Sequence, residues 1–154
     1  MSDHTYRVRG RTVATAATAG HAIAALWNPH TTKRITVLEF GLFKTAVGTA
    51  ADAIELRRST ATGTVGSTVT PLIQQSDERH VAPVSGALLH LAAYSVQPTL
   101  ETVGLFGWVA AAVAASGIIY PTGGITLPPA SGLVISQVAA TIWPVSEVYF
   151  RWTD

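Results

Sequence analysis

Residues 123–154, GGITLPPASGLVISQVAATIWPVSEVYFRWTD, set the strongest constraint on the fold. Within them Val148, Phe150 and Trp152 alternate with Glu147, Tyr149 and Arg151. A period of two puts large apolar groups on one face and polar or amphipathic groups on the other, the pattern of a half-buried strand. Leu133 and Ile135, with Val138 beyond them, supply a preceding strand. Between them and the upstream chain, Pro128 and Pro129 deny ladder donors and Gly132 permits positive φ, so residues 127–132 read as a turn. The expectation is a hairpin-like C-terminal pair whose Trp-bearing strand closes the core of a β-sandwich.

The rest of the chain reads as short strands cut by Gly and Pro. Residues 34–44, RITVLEFGLFK, are apolar on both alternating faces: Ile35, Val37 and Phe43 on one, Leu38, Phe40 and Leu42 on the other. Such a strand is covered on both sides. Glu39 sits in its middle and needs a partner, because an isolated buried charge is costly; Arg57 or Arg58 on the next strand is the expected one. Residues 22–27 form an apolar strand stopped by Asn28-Pro29. Residues 60–70 are a Thr/Gly-rich loop or weak strand, and the polar cluster at residues 74–80 an exposed loop. Residues 86–98 fit a short helix or a strand. Residues 105–115 lean to strand, since Gly104, Gly107 and Gly117 punctuate an otherwise Ala-rich run. The fold class expected is all-β: one β-sandwich domain over residues 1–154, with a jelly roll as its form. Residues 1–18 are an N-terminal arm or edge strand.

Within that arm Tyr6 and Val8 alternate with Arg7, Arg9 and Arg11. Three guanidinium groups then line one side, suited to docking on an acidic neighbour or to a solvated face. Charged residues make up only 12% of the chain, about half the roughly 25% of an ordinary soluble domain. Low charge implies that part of the surface meets other protein copies. The net charge of +1 gives no electrostatic reason for nucleic acid. No apolar h-region follows the N-terminal charges, so no secretory signal is read. The uncharged run at residues 102–120 approaches the roughly 20 residues of a membrane span, but it is rich in Gly and Ala and lacks flanking Lys or Arg. It reads as buried or interfacial protein.

Signals of catalysis are missing. His4, His21, His30, His80 and His90 make no metal-ligand pair, and the chain has no cysteine. There is no nucleophile elbow and no phosphate loop; Gly63-Thr64-Val65-Gly66 lacks the required Lys. Asp52, Glu55, Asp77 and Glu78 default to solvated loop carboxylates rather than a glycosidase pair. No catalytic, metal or cofactor-binding residue is assigned, and no cofactor is expected. Of the four tryptophans, Trp152 is expected in the core. Trp143, in a loop, and Trp108, in the uncharged run, join Arg7, Arg9 and Arg11 as candidate interface residues.

A set of phrases carries a resemblance: Leu26-Trp27-Asn28-Pro29, Arg79-His80-Val81-Ala82-Pro83, Tyr94-Ser95-Val96-Gln97-Pro98-Thr99, Gly117-Ile118-Ile119-Tyr120-Pro121 and Leu127-Pro128-Pro129-Ala130-Ser131-Gly132-Leu133. In their order the chain resembles small virion proteins of tailed phages, and the jelly-roll decoration or cementing proteins that sit as trimers on phage heads. The resemblance implies a virion location, a homotrimer, and the major capsid protein or another virion protein as partner, with no membrane and no nucleic acid. It carries over no functional residue. Two alternatives stand beside it: a tail-tip or fibre-tip module binding a host glycan, and a cupin-like enzyme.

Overall fold

The computed structural model describes residues 4–48, 50, 52–65, 74–75, 86–111 and 117–154, with backbone alone at 52, 74–75 and 103–111. Twelve strands are described: β1 Thr5–Arg11, β2 Ala22–Asn28, β3 Ile35–Lys44, β4 Asp52–Ala61, β5 Thr64–Val65, β6 Gln74–Gln75, β7 Leu88–Leu91, β8 Tyr94–Val96, β9 Thr99–Ala111, β10 Gly117–Leu127, β11 Ser131–Gln137 and β12 Ser146–Thr153. One sheet runs β10-β3-β12-β1-β6, the other β7-β2-β11-β4-β9, and β5 pairs with β8 in a small ribbon. All pairings are antiparallel. The protein is an all-β sandwich.

The order has a simple origin. β4 pairs with β9, β3 with β10, β2 with β11 and β1 with β12, so the chain is one long antiparallel hairpin. Rolling that hairpin lays successive pairs in alternate sheets. β12 then meets β3, and β11 meets β4, which closes the roll. The C-terminal strands are therefore not a hairpin. β11 and β12 lie in opposite sheets, and residues 138–145 cross from one to the other.

Between the sheets lies one core. Tyr6 and Val8 of β1, Val148, Phe150 and Trp152 of β12, and Leu133 and Ile135 of β11 all point into it. The alternation read in β1 and β12 is the alternation observed. In β3 it changes phase. Arg151 pairs with Glu39 but Trp152 pairs with Val37, so Leu38 is an extra residue, a β-bulge. The bulge points Ile35 and Val37, then Phe40 and Leu42, inward. This is why both faces of the segment looked apolar, and why Phe43 ends outside the core rather than beside Ile35.

The second sheet is covered on both sides. Its outer face carries Ala22, Ala25 and Val134, and Tyr94 of β8 packs on them with Val65 of β5. Residues 86–98 thus form strands β7 and β8, not a helix. Of the polar stretch at 74–80, Gln74 and Gln75 form β6 beside β1, and the remainder lies outside the described residues. β1 is bordered by β12 along its full length and by β6 at Tyr6 and Arg7. Asn28, fully buried at the end of β2, holds the predicted Asn-Pro turn: its amide donates to the Lys33 and Pro128 carbonyls (2.9 and 3.0 Å) and its oxygen accepts from the His30 N–H.

Candidate functional site

The outer face of the first sheet remains open among the described residues. Its side chains come from the outward positions of β1, β12 and β3, set in rows by strand register. One row is Arg11, Glu147 and Phe43; the next Arg9, Tyr149 and Gly41; the third Arg7, Arg151 and Glu39. A shallow groove of about 1210 Å³ runs across these rows.

Four guanidinium groups meet two carboxylates here. Arg11 Nε lies 3.6 Å from Glu147, and its terminal nitrogen donates to Thr45 Oγ1 at 3.3 Å. Arg151 lies 4.0 Å from Glu39. Arg7 and Arg9 have no carboxylate within ion-pair distance among the described residues. Arg7 also sits directly opposite Arg151 across the β1–β12 ladder. Like charges so placed destabilise a sheet unless an anion lies between or above them. In that row Glu39, beside Arg151, is one such anion, and the face as a whole holds two more guanidinium groups than carboxylates among the described residues.

The expected Glu39 pairing with Arg57 or Arg58 is overturned. Those arginines are on β4, in the other sheet: Arg57 pairs with Glu55 at 3.0 Å, and Arg58 donates to the Thr126 carbonyl at 3.0 Å. Glu39 instead accepts from the Tyr149 hydroxyl at 2.5 Å. Burial, then the hydrogen bond and charge of Glu39, push the Tyr149 hydroxyl up to about 12, against a smaller opposing pull from Arg151. Glu55 is no solvated loop carboxylate either. It lies within β4, accepts from Ser136 Oγ at 3.2 Å, and its side chain is mostly covered.

Two of the groove's side chains, Tyr149 and Phe43, each rest on a glycine. A Cβ on Gly41 would stand 2.1 Å from the Tyr149 ring, and one on Gly117 would stand 2.0 Å from the Phe43 ring. Each ring thus lies down across a glycine backbone. The two rings are nearly parallel, 16° apart with centroids at 6.3 Å. They form a flat aromatic strip beside the arginines. What the face offers is recognition: planar donors, two carboxylates and an apolar floor.

The chain matches no family model, no curated protein and no solved structure.

Of the candidate interface residues, the structure gathers Arg7, Arg9 and Arg11 on one face as read. Trp143 is a correction. It is 1% exposed, its ring lies under Lys44 Nζ at 4.3 Å, and its Nε1 donates to Ser146 Oγ at 2.9 Å. A loop tryptophan pays for desolvation of its N–H only where a partner is given, and Ser146 is that partner. It cannot fill a neighbour's pocket. Trp108 is on β9, and its side chain is outside the described residues. Among the described residues no three His, Asp or Glu side chains gather to hold a metal ion, and no helix is long and apolar enough to cross a membrane. The residues missed in the sequence are Phe43, Tyr149 and their two glycines. Gly117 was legible only as punctuation and Gly41 only as part of a strand, because which ring crosses each depends on strand pairing.

Proposed function

We propose that this chain is a non-enzymatic structural protein of a tailed-phage virion, a capsid decoration protein that forms a homo-oligomer, a trimer by the resemblance, and docks on an acidic surface of the major capsid protein or another shell protein. The observation that carries the docking is the pair Arg7 and Arg9, projecting from a fully paired strand without a carboxylate partner among the described residues. Strand pairing fixes the backbone under both arginines before contact, so docking has only their side chains to order. The rolled hairpin, with its first strand beside its last, supports reading the sandwich as a jelly roll. The test uses particles from the source phage, washed free of the chain. Wild-type protein is expected to co-sediment with them, and progressively less as salt rises. Arg7→Glu with Arg9→Glu is expected to stay in the supernatant with an unchanged melting temperature. Equal attachment of the variant contradicts the proposal.

A second reading, a tail-tip module for a host glycan, is favoured by the Phe43–Tyr149 floor, since sugars stack on flat aromatic strips flanked by carboxylates. Glycan-array binding that disappears in Tyr149→Ala, with shell attachment intact in the arginine variant, would decide for it.

A further inference from the structure

Three connections meet at one end of the sandwich: residues 12–21, 45–48 and 138–145. None carries an Asp, Glu, Lys or Arg. They are bound to one another. The Thr15 N–H donates to the Trp143 carbonyl at 3.0 Å, and the Thr45 N–H to the Val145 carbonyl at 2.9 Å. Gln137, fully buried, ties the first and third together: its amide nitrogen reaches the carbonyls of Ala16, Thr18, Ala139 and Thr141, and its oxygen accepts from Thr15 Oγ1. Trp143 turns inward beneath them. Its neighbours turn outward: Val13 is 47% exposed, Val47 69%, Val138 45% and Ile142 46%. Half of the large exposed apolar side chains among the described residues thus lie on these three connections, whose own residues carry no Asp, Glu, Lys or Arg. At its rim, Arg11 and Glu147 are already paired with each other. An apolar centre with a satisfied polar rim is the anatomy of a protein interface.

We propose that this end is where copies of the chain meet. Identical surfaces carry identical charge. The face of the first sheet has four arginines against two carboxylates and repels a second copy of itself. The uncharged end meets its own copy without repulsion and without desolvating an ion. A lipid surface fits less well, since interfacial insertion uses exposed Trp, Tyr, Lys or Arg, and the tryptophan here is buried. The other apolar candidate, the edge strand β10 with Ile119 and Tyr120 exposed, is interrupted by Pro121 and by a break in register before Ile125. Such an edge resists ladder extension. The inference rests on the reading of the protein as an oligomer, and it assigns the contact to Val13, Val47, Val138 and Ile142 in place of Trp143.

Light scattering on the eluting protein at micromolar concentration tests it, with wild type, Val47→Asp/Ile142→Asp, and Val96→Asp as a control at an exposed valine elsewhere. The expected result is an oligomer for wild type and for Val96→Asp, and a fall to the 16.1 kDa monomer mass for the double variant with its circular dichroism unchanged. A wild-type monomer overturns the oligomer reading and the inference together. An oligomer that survives in the double variant overturns the inference alone. Co-sedimentation of wild type with neutral phosphatidylcholine vesicles, lost in the double variant, makes lipid the occupant and also overturns it. If the double variant misfolds, Val47→Cys serves, because the chain has no other thiol. Its maleimide labelling is expected to slow as protein concentration rises; a rate independent of concentration overturns the inference.

Discussion

Gln137 is the residue on which the uncharged end depends. Its two amide hydrogens are shared among four carbonyls at 2.7 to 3.3 Å, and the side chain is fully buried. Gln137→Leu keeps the volume and leaves those carbonyls to rearrange. Each buried group left unsatisfied costs about 1–3 kcal/mol, so a loss of about 3–5 kcal/mol in urea unfolding is expected. A second residue-scale test is Gly41→Ala. The new methyl forces the Tyr149 ring off its glycine and breaks the hydroxyl bond to Glu39. The cost expected is about 1–3 kcal/mol. Ultraviolet titration should show one tyrosine falling from about 12 toward 10.0. His90 supplies a pH dependence. Its Nδ1 is buried without a partner among the described residues, and burial pushes its pKa down. The unfolded chain therefore binds a proton that the folded chain resists. Stability from this group is full above the ordinary histidine pKa and declines as pH falls through it. Urea midpoints at pH 7 and pH 5 should converge in His90→Leu relative to wild type; an unchanged gap would refute the assignment.

At the scale of elements, β1 and β12 were legible because each has one buried face, and a period of two identifies such a strand without reference to its partner. β3 was legible as a strand but not in its facing, since the bulge at Leu38 exchanges the faces midway. No residue in RITVLEFGLFK marks that bulge. The β11–β12 connection was misread for a related reason. A strand, a turn-rich stretch and another strand look alike whether the chain returns in the same sheet or crosses to the opposite one. What separates the two is the length and the buried anchors of residues 138–145, where Trp143 and Gln137 hold the crossing. Within the site, the arginine row followed from alternation alone. The Glu39 partner did not, because Tyr149 lies 110 residues along the chain and reaches Glu39 only through the pairing of the first half of the hairpin with the last strand. Element pairing also yields a prediction: Lys44→Met removes the cation above Trp143, at 4.3 Å, and should cost about 1–2 kcal/mol if that contact is desolvated.

For the whole molecule, the low charge has a spatial order. Among the described residues, the second sheet is covered by the β5–β8 ribbon, the charged face of the first sheet is left open, and the three connections without charged side chains close the sandwich beside it. An oligomer joined at that end leaves every arginine face free for a larger acidic surface, so the two contacts are compatible in one assembly. A cryo-electron microscopy reconstruction of the source particle would decide between this assembly and its alternatives. In the proposed assembly the chain is expected on the shell with Arg7 and Arg9 against it and the loops bearing Val47 and Ile142 together around a symmetry axis. A reconstruction in which the first sheet faces solvent, or in which the chain is missing from the shell, would contradict it.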